Sequence, residues 1–136
     1  MNKVLKSENE WRKILEENTF NITRKAHTEQ PFSGKYLNEK SSGKYFCICC
    51  NIELFSSDSK FDSGTGWPSF FRPIKKENIT ERKDLSHGMT RIEVICSSCD
   101  SHLGHLFNDG PNPTGLRYCL NSASLKFKKI DDLVNE

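Results

Sequence analysis

The chain has 136 residues, with 20 Lys+Arg against 18 Asp+Glu, a formal net charge of +2 and six cysteines. That length suits one domain with a modest core, so residues 1–136 are read as a single domain. The basic residues are interspersed with acids, which argues against a nucleic-acid binder, and no apolar run is long enough to span a membrane or serve as a secretory signal. Glu8, Glu10, Glu16 and Glu17 likewise argue against an acid-poor transit peptide. The expectation is a soluble cytoplasmic protein, whose cysteines are metal ligands or redox thiols rather than structural disulfides.

In chain order, Ser7 and Glu10 have the spacing of a capping box, and Trp11, Ile14 and Leu15 follow on one helical face. This predicts a helix over residues 7–18. Turn signals then recur at Gln30-Pro31, Ser33-Gly34, Ser42-Gly43, Gly64-Thr65-Gly66, Gly110-Pro111 and Pro113-Thr114-Gly115. The short segments between them are rich in aromatic and β-branched residues, and strands are predicted over residues 43–47, 89–96, 116–121 and 123–129. Residues 75–84, KKENITERKD, are polar enough to be read as a solvated surface loop. The fold class is therefore mainly β, with one or two peripheral helices.

Cys47 and Cys50 form one C-x-x-C pair and Cys96 and Cys99 another. Two such knuckles can complete a tetrahedral thiolate site, so structural Zn²⁺ is the leading reading. Two redox pairs, or reduced core cysteines, are the alternatives. Cys49 adds a third thiol inside the first knuckle, either a small buried residue or a spare redox group.

The sixth cysteine stands apart in RYCLNSASL. If residues 117–121 are extended, Arg117, Cys119 and Asn121 share a face, and a cation beside the thiol favours its nucleophilic thiolate form. Upstream, DSHLGHLFNDGP presents His102 and His105 with Asp109 close behind, the groups from which proton transfer near neutral pH is built. A Cys/His catalytic pair stands against a buried structural cysteine and ordinary surface histidines. The segment KFDSGTGWPSFFRP surrounds Trp67 with glycines and prolines; it is either an aromatic wall for a small apolar group or a turn that caps the core.

Taken in order, SGTGWPSF, the two C-x-x-C pairs, DSHLGHLFNDGP and RYCLNSASL resemble the B-type methionine sulfoxide reductases over about residues 28–127. The resemblance implies two antiparallel β-sheets in a β-tent with peripheral helices. It also implies reduction of the R epimer of methionine sulfoxide, peptide-bound or free, through a cysteine sulfenic acid, as repair of oxidative damage. Cys119 matches the family's nucleophile, and His105, with His102 beside it, the acid that protonates the sulfoxide oxygen. Asp109 and Arg117 match residues that orient this acid and a water, Asn121 a positioning group, and Trp67 the indole that packs on the substrate methyl. Cys47, Cys50, Cys96 and Cys99 match the zinc ligands.

The partners implied are oxidised proteins or peptides and thioredoxin or another thiol reductant, with no nucleic acid or membrane, and the chain is expected to be a monomer. One departure stands out, because many relatives carry a resolving cysteine where this chain has Thr65. Regeneration then falls to Cys49 or to direct attack by the external reductant, which is the expected route. The rival functions are a zinc-held binding module without enzymatic activity and a thiol-disulfide oxidoreductase working through the C-x-x-C pairs.

Overall fold

The computed structural model describes residues 3–134. Ser7 opens helix α1 (Glu8–Ile14) through a reciprocal cap: the Glu10 N–H donates to Ser7 Oγ at 3.2 Å, and the Ser7 N–H donates to the Glu10 carboxylate at 2.9 Å. A cap of this kind contributes about 1 kcal/mol. The helix ends where Leu15 turns extended (φ −106°, ψ 144°), and α2 (Glu17–Arg24) starts two residues later. The helix expected over residues 7–18 is thus two. The break lets both Trp11 and Phe20 turn inward, while Ile14, expected on the buried face, is left 62% exposed.

Nine strands follow. β1 (Gly43–Cys47), β2 (Glu53–Ser56) and β9 (Leu125–Lys129) form a three-stranded antiparallel sheet in the order β2-β1-β9. The other six are β3 (Lys60–Phe61), β4 (Ser69–Phe70), β5 (Ile79–Asp84), β6 (Arg91–Cys96), β7 (His102–Phe107) and β8 (Arg117–Leu120). They form a second antiparallel sheet in the order β3-β4-β8-β7-β6-β5, and a short helix, α3 (Ile130–Val134), follows β9. The sheets meet through aromatic side chains: Tyr45 lies 5.1 Å from Phe70 between ring centroids, and Phe55 lies 4.7 Å from Phe70 and 5.5 Å from Tyr118. This is the mainly β, two-sheet architecture expected from the sequence. No helix among the described residues is long and apolar enough to cross a membrane.

The period of two governs β8, where Tyr118 and Leu120 are buried in the core and Cys119 takes the opposite face. β5 corrects the loop expected over residues 75–84. Its six residues pair along the whole of β6, with mostly exposed side chains. It is the outermost strand of its sheet, and charged side chains at such an edge discourage pairing with other molecules. That composition is what made the segment read as loop.

β6 and β7 carry an irregularity that matters for the site. Val94 pairs with Gly104, but the next residue, Ile95, pairs with His102, so Leu103 is an extra residue on β7. In a regular strand two residues three apart point to opposite faces. The bulge restores them to one face, and the His102 and His105 rings meet edge to face with centroids 5.4 Å apart. Gly104 makes the neighbouring pairing possible, since a Cβ there would lie 1.9 Å from the Cys119 carbonyl oxygen.

Candidate active site

Cys119 sits opposite His105 on β7 and Ser69 on β4, and His105 in turn sits opposite Glu93 on β6. Directly opposed residues share a face with Cβ atoms roughly 5 Å apart. One row across the sheet, on the face away from the core, therefore carries a thiol, an imidazole and a carboxylate. Thr28, Trp67, Arg91, His105, Phe107 and Asn121 join Cys119 around a small pocket of about 70 Å³.

Both histidines are buried, at 4% exposure for His102 and 8% for His105, which removes the reading of them as ordinary surface residues. Each is held by a carboxylate that the motif reading passed over. His102 Nδ1 lies 2.6 Å from Glu93, which leaves its Nε2 buried and without a protein partner among the described residues. His105 Nε2 lies 2.7 Å from Asp84. Asp109, which with Arg117 matches residues that orient the acid and a water, accepts from Arg117 Nε at 2.9 Å and Nη2 at 3.2 Å, and it is largely exposed. Its effect on the site runs through Arg117, whose guanidinium lies 4.2 Å over the Phe107 ring.

Burial pushes the Cys119 thiol above its ordinary value, outweighing the Arg117 charge and the hydrogen bonds from Thr65 and Arg117 that favour thiolate. Burial also lowers His105, against the upward pull of Asp84 and with the help of the Arg91 charge. At rest, then, the pair is mainly thiol and neutral imidazole.

Glu29, another residue the motifs did not reveal, ties the site together. Its N–H donates to Asn121 Oδ1 at 3.1 Å, and its carbonyl accepts from Trp67 Nε1 at 2.9 Å. Its carboxylate accepts from the N–H groups of Ser122 at 2.6 Å and Ala123 at 3.3 Å. One residue so fixes the indole and the amide that flank Cys119. Thr65 completes the rim: its hydroxyl lies within hydrogen-bond reach of the Cys119 sulfur and 2.8 Å from Ser63 Oγ, which is itself 2.8 Å from Ser69 Oγ.

The four paired cysteines form a second centre. Their sulfurs all lie within 4.8 Å of one another, Cys47 to Cys99 at 3.6 Å and Cys50 to Cys96 at 3.5 Å, and no disulfide joins them. Tetrahedral metal–thiolate bonds of about 2.3 Å would set sulfurs about 3.8 Å apart, so the cluster fits a metal ion. The two knuckles are built alike. Asn51 and Asp100, each directly after its pair, take positive φ (71° and 64°) and donate N–H to the carbonyls of Cys47 and Cys96. Asn and Asp tolerate that left-handed conformation better than most residues, a signal present in the sequence. Cys49 lies against this cluster, within hydrogen-bond reach of Cys47, Cys99 and Thr23.

The SelR domain family matches residues 15–129. The chain belongs to this family. Among curated relatives, the peptide methionine sulfoxide reductase MsrB of Herminiimonas arsenicoxydans is 56% identical over 131 residues, 96% of each chain. That of Hahella chejuensis is 55% identical over 131 residues, covering 96% of this chain and 94% of the relative. An Acinetobacter baumannii protein of the same name is 56% identical over 128 residues. The SelR match covers every residue of the pocket and all four clustered cysteines.

Proposed function

We propose that the protein reduces methionine sulfoxide, peptide-bound or free and of the R configuration at sulfur, with Cys119 as nucleophile. The observation that carries this reading is the row in which Cys119 lies opposite a buried, carboxylate-held His105 inside a pocket walled by Trp67. The indole provides an apolar wall for the terminal methyl. His105 lines the same pocket and is the group proposed to give a proton to the oxygen, with His102 beside it.

In the step proposed, the Cys119 thiolate attacks the sulfoxide sulfur as His105 gives a proton to the oxygen. Oxygen ends on Cys119 as sulfenic acid, methionine leaves, and two electrons pass from the cysteine sulfur to the methionine sulfur. Arg117 favours the attacking thiolate, Asp109 steadies Arg117, and Asn121 and Glu29 hold the wall around the reacting atoms. Thioredoxin or another dithiol then returns Cys119 to thiol, giving its own disulfide and water. Cys49 supports direct reduction over internal resolution, because it packs against the cysteine cluster rather than lining the pocket.

Cys47, Cys50, Cys96 and Cys99 are the proposed ligands of one Zn²⁺, held for structure, since four thiolates leave no open position. The nearly full-length match to the relatives supports a single domain. Repair of oxidised proteins in the cytoplasm is the proposed task, the setting in which thiolates stay reduced.

The test is turnover of the separated R and S epimers of a blocked methionine sulfoxide with dithiothreitol, for the wild type and Cys119→Ser. Activity on R alone that vanishes in the variant is expected; folded protein that turns over neither epimer overturns the reading.

A further inference from the structure

We infer that Asp84 is a positioning residue for His105, holding the imidazole with its proton on Nε2 and supporting its cationic form while the other ring nitrogen serves the substrate. The inference rests on the reading of His105 as the acid of this site. Asp84 closes β5, and the chain turns immediately beyond it into β6. Its Oδ1 accepts from the Ser86 N–H at 2.9 Å and the Ser86 hydroxyl at 2.6 Å, a side-chain turn that leaves Oδ2 aimed at His105 Nε2, 2.7 Å away. Arg91, opposite Asp84 in the ladder, approaches the same Oδ2 at 3.5 Å and lines the pocket. A carboxylate with both oxygens engaged and an arginine behind it has little freedom to rotate. The hydrogen bonds from Ser86 and His105 hold its carboxyl well below the usual carboxylate range, so it is charged wherever the enzyme works.

The charged and titratable groups around His105 are Asp84 from β5, Arg91 and Glu93 from β6, His102 from its own strand, and Cys119 with Arg117 from β8. Burial and Arg91 disfavour imidazolium, and Asp84 is the carboxylate that opposes them. The reaction needs thiolate and imidazolium together, whereas the resting pair is mainly thiol and imidazole. The rate at the plateau of a pH profile then depends on the gap between the two pKa values, His105 setting the acid limb and Cys119 the alkaline limb. Removing the Asp84 charge lowers His105 further. The acid limb moves to lower pH, and the plateau falls by the same factor, tenfold for each pH unit.

The experiment measures kcat/KM for the R epimer against pH in wild type, Asp84→Asn, Asp84→Glu and His105→Gln. Asp84→Asn is expected to lower the plateau roughly tenfold to a thousandfold with a matching acid shift of the lower limb, the range for an opposite charge at this distance. Asp84→Glu recovers part of both. A plateau that falls with the acid limb unmoved makes Asp84 merely structural and overturns the inference, as does an unchanged profile. If His105→Gln itself retains full activity, the underlying reading of the site fails instead. Should the Asp84 variants not fold, nitrogen-15 spectra of the wild-type imidazole decide the matter: an Nε2–H tautomer for His105 is expected, and an Nδ1–H tautomer overturns it.

Discussion

Thr65 is the residue where chemistry and geometry part company. Its hydroxyl sits within hydrogen-bond reach of the Cys119 sulfur, so a second thiol there would stand beside the proposed nucleophile, yet threonine cannot form a disulfide. Thr65→Cys is therefore expected to change the fate of the intermediate. After one equivalent of substrate and no reductant, the wild type should gain one oxygen and lose one titratable thiol. The variant should gain no oxygen and lose two thiols, as the new sulfur displaces hydroxide from the Cys119 sulfenic acid. Intact-mass measurement with thiol titration checks both numbers; retained oxygen in the variant would mean that the two sulfurs cannot approach. The same neighbourhood shows what a sequence reading reaches and what it does not. Trp67, His102, His105, Arg117, Cys119 and Asn121 stood inside dense motifs. Glu29 did not, because its partners lie 38 to 94 positions away along the chain.

Elements explain why the remaining residues were hard to see. Arg91 and Glu93 alternate with Ile92 and Val94 on β6, a period of two that marks one polar and one apolar face, but nothing in it says that the polar face is a site. Asp84 was hidden further, since an edge strand dressed in charges looks like loop until its partner is known. The capping box and β1 were legible because local spacing alone decides them. The bulge at Leu103 was not, because it exists only in the pairing of β7 with β6.

Gly104, next to that bulge, gives the element-scale prediction. A methyl group there meets the Cys119 carbonyl, which is backbone within a paired strand and cannot swing aside. Gly104→Ala should cost about 1–3 kcal/mol of stability by overpacking and should also displace Cys119 from His105. Denaturant unfolding reads the first effect and kcat the second. A stable variant with normal turnover would show that β7 and β8 can part without consequence.

At the scale of the molecule the cysteine cluster joins elements the hydrophobic core already brings together. Cys47 ends β1 in the small sheet, Cys96 ends β6 in the large one, and the second knuckle is also the turn from β6 into β7, the strand that bears both histidines. The N-terminal segment straps this knuckle through the Val4 N–H to the Ser98 carbonyl, and Arg24 from α2 reaches the Cys99 carbonyl at 2.7 Å. Metal removal should therefore reach both stability and the site. Purified protein is expected to carry one Zn²⁺ per chain. Release by mild acid with a chelator, which leaves Cys119 chemically intact, should lower the thermal midpoint and abolish turnover once neutral pH is restored. Cys96→Ser should do the same, whereas Cys49→Ser should keep the metal content and most of the turnover with thioredoxin. Elemental analysis beside melting curves tests the set, and full stability in metal-free protein would assign the clamp to the aromatic core alone.

The place of β8 between β4 and β7 carries a consequence for biosynthesis. Until residues 117–120 have left the ribosome, the nascent large sheet has two interior edges with nothing between them, and the small sheet waits longer still for β9. Cys119, the proposed nucleophile, arrives on the strand that fuses those two halves. A growing or prematurely terminated chain thus has His102 and His105 without Cys119 beside them, and the proposed site is assembled only by the act that completes the large sheet.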